Sequence, residues 1–134
     1  YKPLQKPYMG KKILVIEDEP HISELVKVIL EKQGFEVMQA FVGQEGIEMA
    51  TFQRPNLIVL DVMMPNMDGF EVARVLSKRR ETKGIPIIML SSAAQFKDKK
   101  MGIEAGATDY ITKPFEKEEL IAKVKEYIND YISD

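Results

Sequence analysis

Three short runs along the chain are almost wholly apolar: Ile13-Leu14-Val15-Ile16, Leu57-Ile58-Val59-Leu60 and Ile87-Ile88-Met89-Leu90. Runs this short, with no polar alternation, mark strands buried on both faces, as in a parallel sheet. Between them lie stretches whose apolar residues return with a helical period. Ile22, Leu25, Val26, Ile29 and Leu30 keep the i, i+3, i+4, i+7 spacing of one buried face. Phe70, Val72, Ala73, Val75 and Leu76 mark a second such helix, and Leu120, Val124 and Ile128 a stripe on a third.

The pattern predicts strand 1 over Lys12–Ile16, then helix 1 after Pro20, which suits a first helical turn. Gly34 stands where a left-handed cap is expected. Strand 2 follows over Phe35–Ala40, helix 2 over about Gln44–Gln53, and Pro55 closes that segment. Strand 3 is Leu57–Leu60, and helix 3 runs from near Phe70 to Arg80. Strand 4 is Ile87–Leu90, helix 4 about Gln95–Ala105 with Gly106 as its cap, strand 5 Thr108–Thr112, and helix 5 starts near Glu116. Regular alternation of strand and helix gives an α/β fold. Right-handed crossovers make it a doubly wound, five-stranded parallel sheet in the order 2-1-3-4-5, with five helices.

Composition narrows the field. The 134 residues suit one domain, and 45% hydrophobic with 30% charged residues is the balance of a water-soluble globular chain. A net charge of -2 produces no field favouring nucleic acid. No apolar run approaches the roughly 18 residues of a membrane span, and no signal-peptide pattern opens the chain. The absence of cysteine excludes disulfides, thiolate metal sites and cysteine nucleophiles, and fits a cytoplasmic location. One histidine excludes multi-histidine metal sites. Residues 1–10 hold two prolines, two lysines and no periodicity, so they are read as a leader, a linker or an appended remnant. Residues 11–134 then form the domain.

In this strand order, strands 1 and 3 are neighbours where the connections reverse, and sites in such sheets lie at the carboxyl ends of the strands. Glu17 and Asp18 follow strand 1, Asp61 ends strand 3, and Lys113 follows strand 5. Three carboxylates in one crevice repel one another. A divalent cation and Lys113 would balance them, which points to a metal and phosphoryl site. Mg²⁺, a hard octahedral ion, accepts carboxylates and water, with Asp18 and Asp61 as direct ligands and Glu17 direct or through water. Carboxylates are established nucleophiles towards phosphate, which makes Asp61 the candidate acceptor. Met63 stands two residues later, where an aspartyl-phosphate hydrolase carries a second acid. The chain therefore has an acceptor with no built-in acid for rapid turnover.

Each of these residues has an ordinary alternative. Asp18-Glu19-Pro20 suits a helix N-terminus with acids near its positive end. Asp61 also suits a strand-end turn. Ser91, beside Ser92, is either a hydroxyl donor to a phosphoryl group on Asp61 or a simple loop and cap serine. Tyr110 suits sheet-edge packing. His21 is read as an exposed first-turn residue rather than a phosphohistidine or metal ligand. Lys97, Lys99 and Lys100 form a solvated helix face or a docking patch. Met63, Met64 and Met67 are read as loop packing.

Taken together, these segments resemble the response-regulator receiver domain of two-component systems. The resemblance rests on Ile13–Glu19, Asp61–Gly69, Pro86–Ser92 and Gly106–Phe115, four ordered motifs spread over about Lys11 to Ile132. It implies a flavodoxin-like sheet and phosphorylation of Asp61 by a histidine kinase or a histidine phosphotransfer protein. It implies Mg²⁺ held by Asp18, Asp61 and the Met63 carbonyl with Glu17 in support, and Lys113 on the phosphoryl group. Ser91 and Tyr110 become the switch pair, and Lys113-Pro114 a cis peptide. Helix 4, strand 5 and helix 5 would be the output surface, controlling a downstream effector or dimerising. Helix 1 and the loop after strand 5 would receive the kinase. Glu17, Ser91 and Ser92 stand where Asp, Thr and a smaller residue are commoner.

Three rivals remain. A pseudo-receiver would lack part of the Glu17, Asp18, Asp61 and Lys113 set, which is complete here. An aspartyl phosphatase needs an acid at Met63. A flavin mononucleotide binder needs a glycine- or hydroxyl-rich loop where Glu17-Asp18-Glu19-Pro20 stands. Within the family, the chain suits either a single-domain regulator or a receiver of a larger protein.

Overall fold

The consecutive apolar residues of the central strands divide between two cores, one on each side of the sheet. The computed structural model describes residues 9–92 and 96–132, apart from the side chains of 96–98 and 129–132. In chain order the elements are β1 (Lys12–Ile16), α1 (Pro20–Glu31), β2 (Glu36–Ala40), α2 (Gly43–Gln53) and β3 (Leu57–Asp61). They continue as α3 (Gly69–Lys78), β4 (Ile87–Ser91), α4 (Phe96–Ala105), β5 (Asp109–Thr112) and α5 (Lys117–Ile132). The described strands form a five-stranded parallel sheet in the order β2-β1-β3-β4-β5, as the pattern predicts.

Successive side chains of a strand point to opposite faces. Leu14, Ile16, Ile58, Leu60, Ile87 and Met89 pack with residues of α2 and α3, such as Ile47, Val72 and Leu76. Ile13, Val15, Leu57, Val59, Ile88 and Leu90 pack with Val26 and Leu30 of α1 and with Leu120, Val124 and Ile128 of α5. Burial on both sides explains why these runs contain no polar alternation.

Most observed limits differ from the expected ones by a residue or two, each for a local reason. β3 and β4 extend to Asp61 and Ser91 because the ladder pairs Asp61 with Leu90 and Ser91 with Thr112, whatever the polarity of the side chains. α3 stops at Lys78 because Arg79 turns to extended backbone (ψ 137). β2 starts one residue late because the Phe35 N–H still closes on the Leu30 carbonyl at 3.3 Å. Gly34 and Gly106 take the left-handed conformation expected of caps (φ 102 and 113). The expected start of α4 at Gln95 lies outside the described residues, as do residues 1–8.

One residue departs from its predicted face. Leu25 keeps the period of the α1 stripe but is 48% exposed. The buried positions of α1 are Ser23, Val26, Ile29 and Leu30, and Ser23 takes a place on the inner face by accepting a bond from Gln39 Nε2 at 2.9 Å. Leu60→Ala is expected to cost about 2–5 kcal/mol, as for other fully buried leucines, whereas Leu25→Ala should stay within about 0.5 kcal/mol. Urea unfolding of both variants checks the assignment.

Candidate functional site

The register of the sheet assembles the site. Ile16 lies opposite Leu60, so Glu17 and Asp61, one step further on, lie side by side. Ser91 pairs with Thr112, and the Lys113 N–H donates to the Ser91 carbonyl at 2.6 Å. Lys113 is therefore delivered to the same end of the sheet. Its Nζ donates to Asp61 Oδ1 at 2.7 Å and to Glu17 Oε1 at 3.2 Å. Both acids are almost fully buried, Asp61 2% and Glu17 1% exposed.

The loops hold this arrangement from both sides. The second oxygen of Glu17, Oε2, accepts the Glu19 N–H at 3.1 Å. Glu19, rather than Asp18, caps α1, accepting the His21 N–H at 3.4 Å. That leaves the Asp18 carboxylate available to the crevice. After β3, the Met63 N–H donates to the Asp61 carboxylate. The Gly69 N–H returns to the Val62 carbonyl at 2.8 Å. A Cβ on Gly69 would run into the Asp61 carbonyl oxygen and Val62 Cα, so only glycine lets α3 start this close to the end of β3. α3 then opens with a reciprocal Asp68–Glu71 capping box, both bonds at 3.0 Å. The Lys113–Pro114 peptide is cis, as the family resemblance implies.

Burial sets the electrostatics. It pushes the Glu17 carboxyl up to about 7, and repulsion from Asp61 adds to this against the Glu19 N–H and Lys113. Burial also raises Asp61 above the ordinary carboxylate range, although Lys113 and the Met63 N–H pull it down. Lys113 is raised: its bonds to Asp61 and Glu17 outweigh the cost of its own burial. One ammonium thus does not fully offset the acids around it. A carboxylate oxygen from each of Glu17, Asp18 and Asp61 lies within 4.8 Å of the others. An all-oxygen, anionic donor set of this size fits a hard divalent cation such as Mg²⁺.

The other predicted residues divide. Ser91 is 1% exposed at the end of β4, in the same crevice wall as Lys113. Tyr110 is partly buried against the α3–α4 side of the core, and Lys99 lies 5.1 Å from its ring centroid. His21 is exposed, as expected. Of the methionines read as loop packing, Met64 is buried and Met67 packs on the core, but Met63 is 70% exposed. The Lys97 side chain lies outside the described residues.

The Glu17–Lys113 pair, expected from the balance of charges in the crevice, joins residues 96 positions apart. One feature escaped the sequence reading. Asp109, next to Tyr110, is anchored to α5 by Lys123 Nζ at 2.9 Å and the Tyr127 hydroxyl at 2.6 Å. Burial would raise the Asp109 carboxyl, but these donors and the Tyr110 N–H together hold it below its ordinary value. A lysine and a tyrosine one helical turn apart, 14 and 18 positions after the acid, would have been a faint signal only after the fold was known.

Residues 13–125 match the response regulator receiver domain, and the chain belongs to that family of two-component signalling domains. It is 45% identical over 114 residues to the DNA-binding dual master transcriptional regulator RpaA of Synechocystis sp., covering 85% of this chain and 47% of that protein. It is 45% identical over 117 residues to the alkaline phosphatase synthesis transcriptional regulatory protein PhoP of Bacillus subtilis, covering 87% and 48%. The chain thus spans about half the length of these relatives. A similar solved structure is the receiver domain of the sensor histidine kinase PA1611 from Pseudomonas aeruginosa, with a magnesium ion coordinated in its active-site cleft. It has 29% identity and a TM-score of 0.84, covering 90% of this chain and 98% of that one.

The raised Glu17 carboxyl has a consequence for stability. The folded protein holds this proton more tightly than the unfolded chain, so stability falls as pH rises from about 4.5 to about 7. Metal-free protein kept in chelator is expected to show that loss, and Glu17→Gln to show less of it. Thermal unfolding across this range measures both.

Proposed function

We propose that the domain accepts a phosphoryl group on Asp61 from a histidine kinase or a histidine phosphotransfer protein and uses it to change its α4-β5-α5 surface. The observation that supports this most is the buried Asp61 carboxylate, bonded to Lys113 at 2.7 Å, with Glu17 and Asp18 beside it. One Asp61 oxygen forms the new P–O bond as the P–N bond to the donor imidazole breaks, and the electron pair of that bond leaves with the imidazole. Phosphoryl transfer depends mainly on alignment and charge neutralisation. Asp18, Asp61 and the Met63 carbonyl would hold Mg²⁺, with Glu17 in support, and the ion would supply neutralisation of the phosphoryl oxygens. Lys113 keeps its place and exchanges part of its bonding to Asp61 for a phosphoryl oxygen. Met63 provides no proton donor, so the domain catalyses its own phosphorylation without a built-in acid for fast hydrolysis.

Ser91 donates its hydroxyl to the phosphoryl group, drawing the end of β4 inward. Tyr110, on the neighbouring strand, follows into the vacated space. Both positions pre-exist, and phosphorylation shifts their populations with a coupling of about 1–3 kcal/mol. The reshaped α4-β5-α5 face then controls a downstream effector or output domain, or a second copy of the domain. The setting is cytoplasmic. The longer relatives, both transcriptional regulators, support a receiver acting within or upon such a protein. DNA contact would belong to another domain, because this one carries a net charge of -2.

Incubation with Mg²⁺ and acetyl phosphate is expected to add one phosphoryl group to the parent by intact mass and none to Asp61→Ala. Addition to both would move the acceptor elsewhere. Ser91→Ala should still be phosphorylated but shift its Tyr110 resonances less than the parent does. An unchanged Tyr110 response in that variant would contradict the coupling.

A further inference from the structure

The Lys99 ammonium lies over the face of the Tyr110 ring, 5.1 Å from its centroid. Lys99 is exposed on α4, while Tyr110 is half-buried on β5 against the core. We propose that Lys99 is a positioning residue that latches Tyr110 in its present place and so sets the resting balance of the switch. The inference rests on the proposed role of Tyr110 and adds the group that opposes its movement. Three observations carry it.

First, a cation over an aromatic face is attracted by the ring quadrupole, so the contact stabilises the ring position seen here. Second, that ring position occurs together with the direct Lys113–Asp61 pair at 2.7 Å, the arrangement of the free carboxylate. The latch therefore favours the state that precedes transfer. Third, the backbone of Tyr110 is already fixed: its N–H donates to Asp109 Oδ1 at 2.7 Å, and Asp109 is anchored to α5 through Lys123 and Tyr127. The adjustable part of this residue is its ring, and Lys99 acts on the ring alone. Lys99 also lines a shallow surface pocket with Lys100, Ile103 and Glu104. A partner carboxylate seated there would draw the ammonium off the ring, so partner binding and ring release would favour each other.

The effect is readable as a population shift. An exposed cation–π contact stabilises its conformer about two- to fivefold. When the switched state is the minor one, its intrinsic affinity for a phosphoryl group is reduced by its population. Removing the latch therefore tightens binding by the same factor. The test titrates parent, Lys99→Met and Lys99→Arg with beryllium fluoride in Mg²⁺, following the Tyr110 ring resonances and checking that the three melt alike. Lys99→Met is expected to bind about two- to fivefold more tightly, with Lys99→Arg close to the parent because it keeps a cation over the ring. Parent-like affinity in Lys99→Met, with Tyr110 responding normally, would overturn the latch and leave the proposed function intact. A Tyr110 ring that does not respond to beryllium fluoride in the parent would overturn the switch role itself, and the latch with it.

Discussion

One ammonium group holds this structure's chemistry together. Lys113 Nζ bonds Asp61 Oδ1 and Glu17 Oε1, and the three charges come from the ends of β5, β3 and β1. Buried carboxylates left without a counter-charge would be costly, so the pairing constrains the register of the sheet's central strands. The constraint also works in the other direction. Lys113 reaches the acids because β5 pairs with β4, its own N–H sits on the Ser91 carbonyl, and β4 pairs with β3. Two dry cores, one on each face, keep that register.

The compensation is incomplete. One positive charge faces Asp61, Glu17 and Asp18, and burial raises both Asp61 and Glu17 above the ordinary carboxylate range. A site in this condition would gain from a divalent cation. The same carboxylates raise Lys113 above its ordinary value, which keeps its ammonium charged. Under the proposed function, changing the charge at Asp61 would change what Lys113 and Ser91 bond to, and Tyr110 lies on the strand next to Ser91.

Most of the fold was legible in the chain because its signals are local. Double burial leaves unbroken apolar runs in β1, β3 and β4, and Pro20, Gly34 and Gly106 punctuate the helices. Some candidate site residues were legible for a related reason: Glu17, Asp61 and Ser91 each follow directly on an apolar run. What stayed hidden depends on contacts between distant positions. Periodicity assigns Leu25 to a stripe but cannot say that the edge of the stripe lies beyond the covering helix. Strand ends follow backbone pairing, so Asp61 and Ser91 proved to be strand residues. Met63, read as loop packing, is exposed. The Lys99–Tyr110 contact needs the placement of α4 over β5.

The central claim is that Asp61, Glu17 and Asp18 form one under-compensated acidic site that a divalent cation completes. Calorimetric titration with Mg²⁺ at pH 8 and pH 5.5, in two buffers of different ionisation enthalpy, tests it most directly. The account predicts saturable binding at pH 8, weaker binding at pH 5.5, and proton release on binding near neutral pH as the raised Glu17 carboxyl ionises. Binding that is absent, or equally strong at both pH values with no proton released, would contradict it.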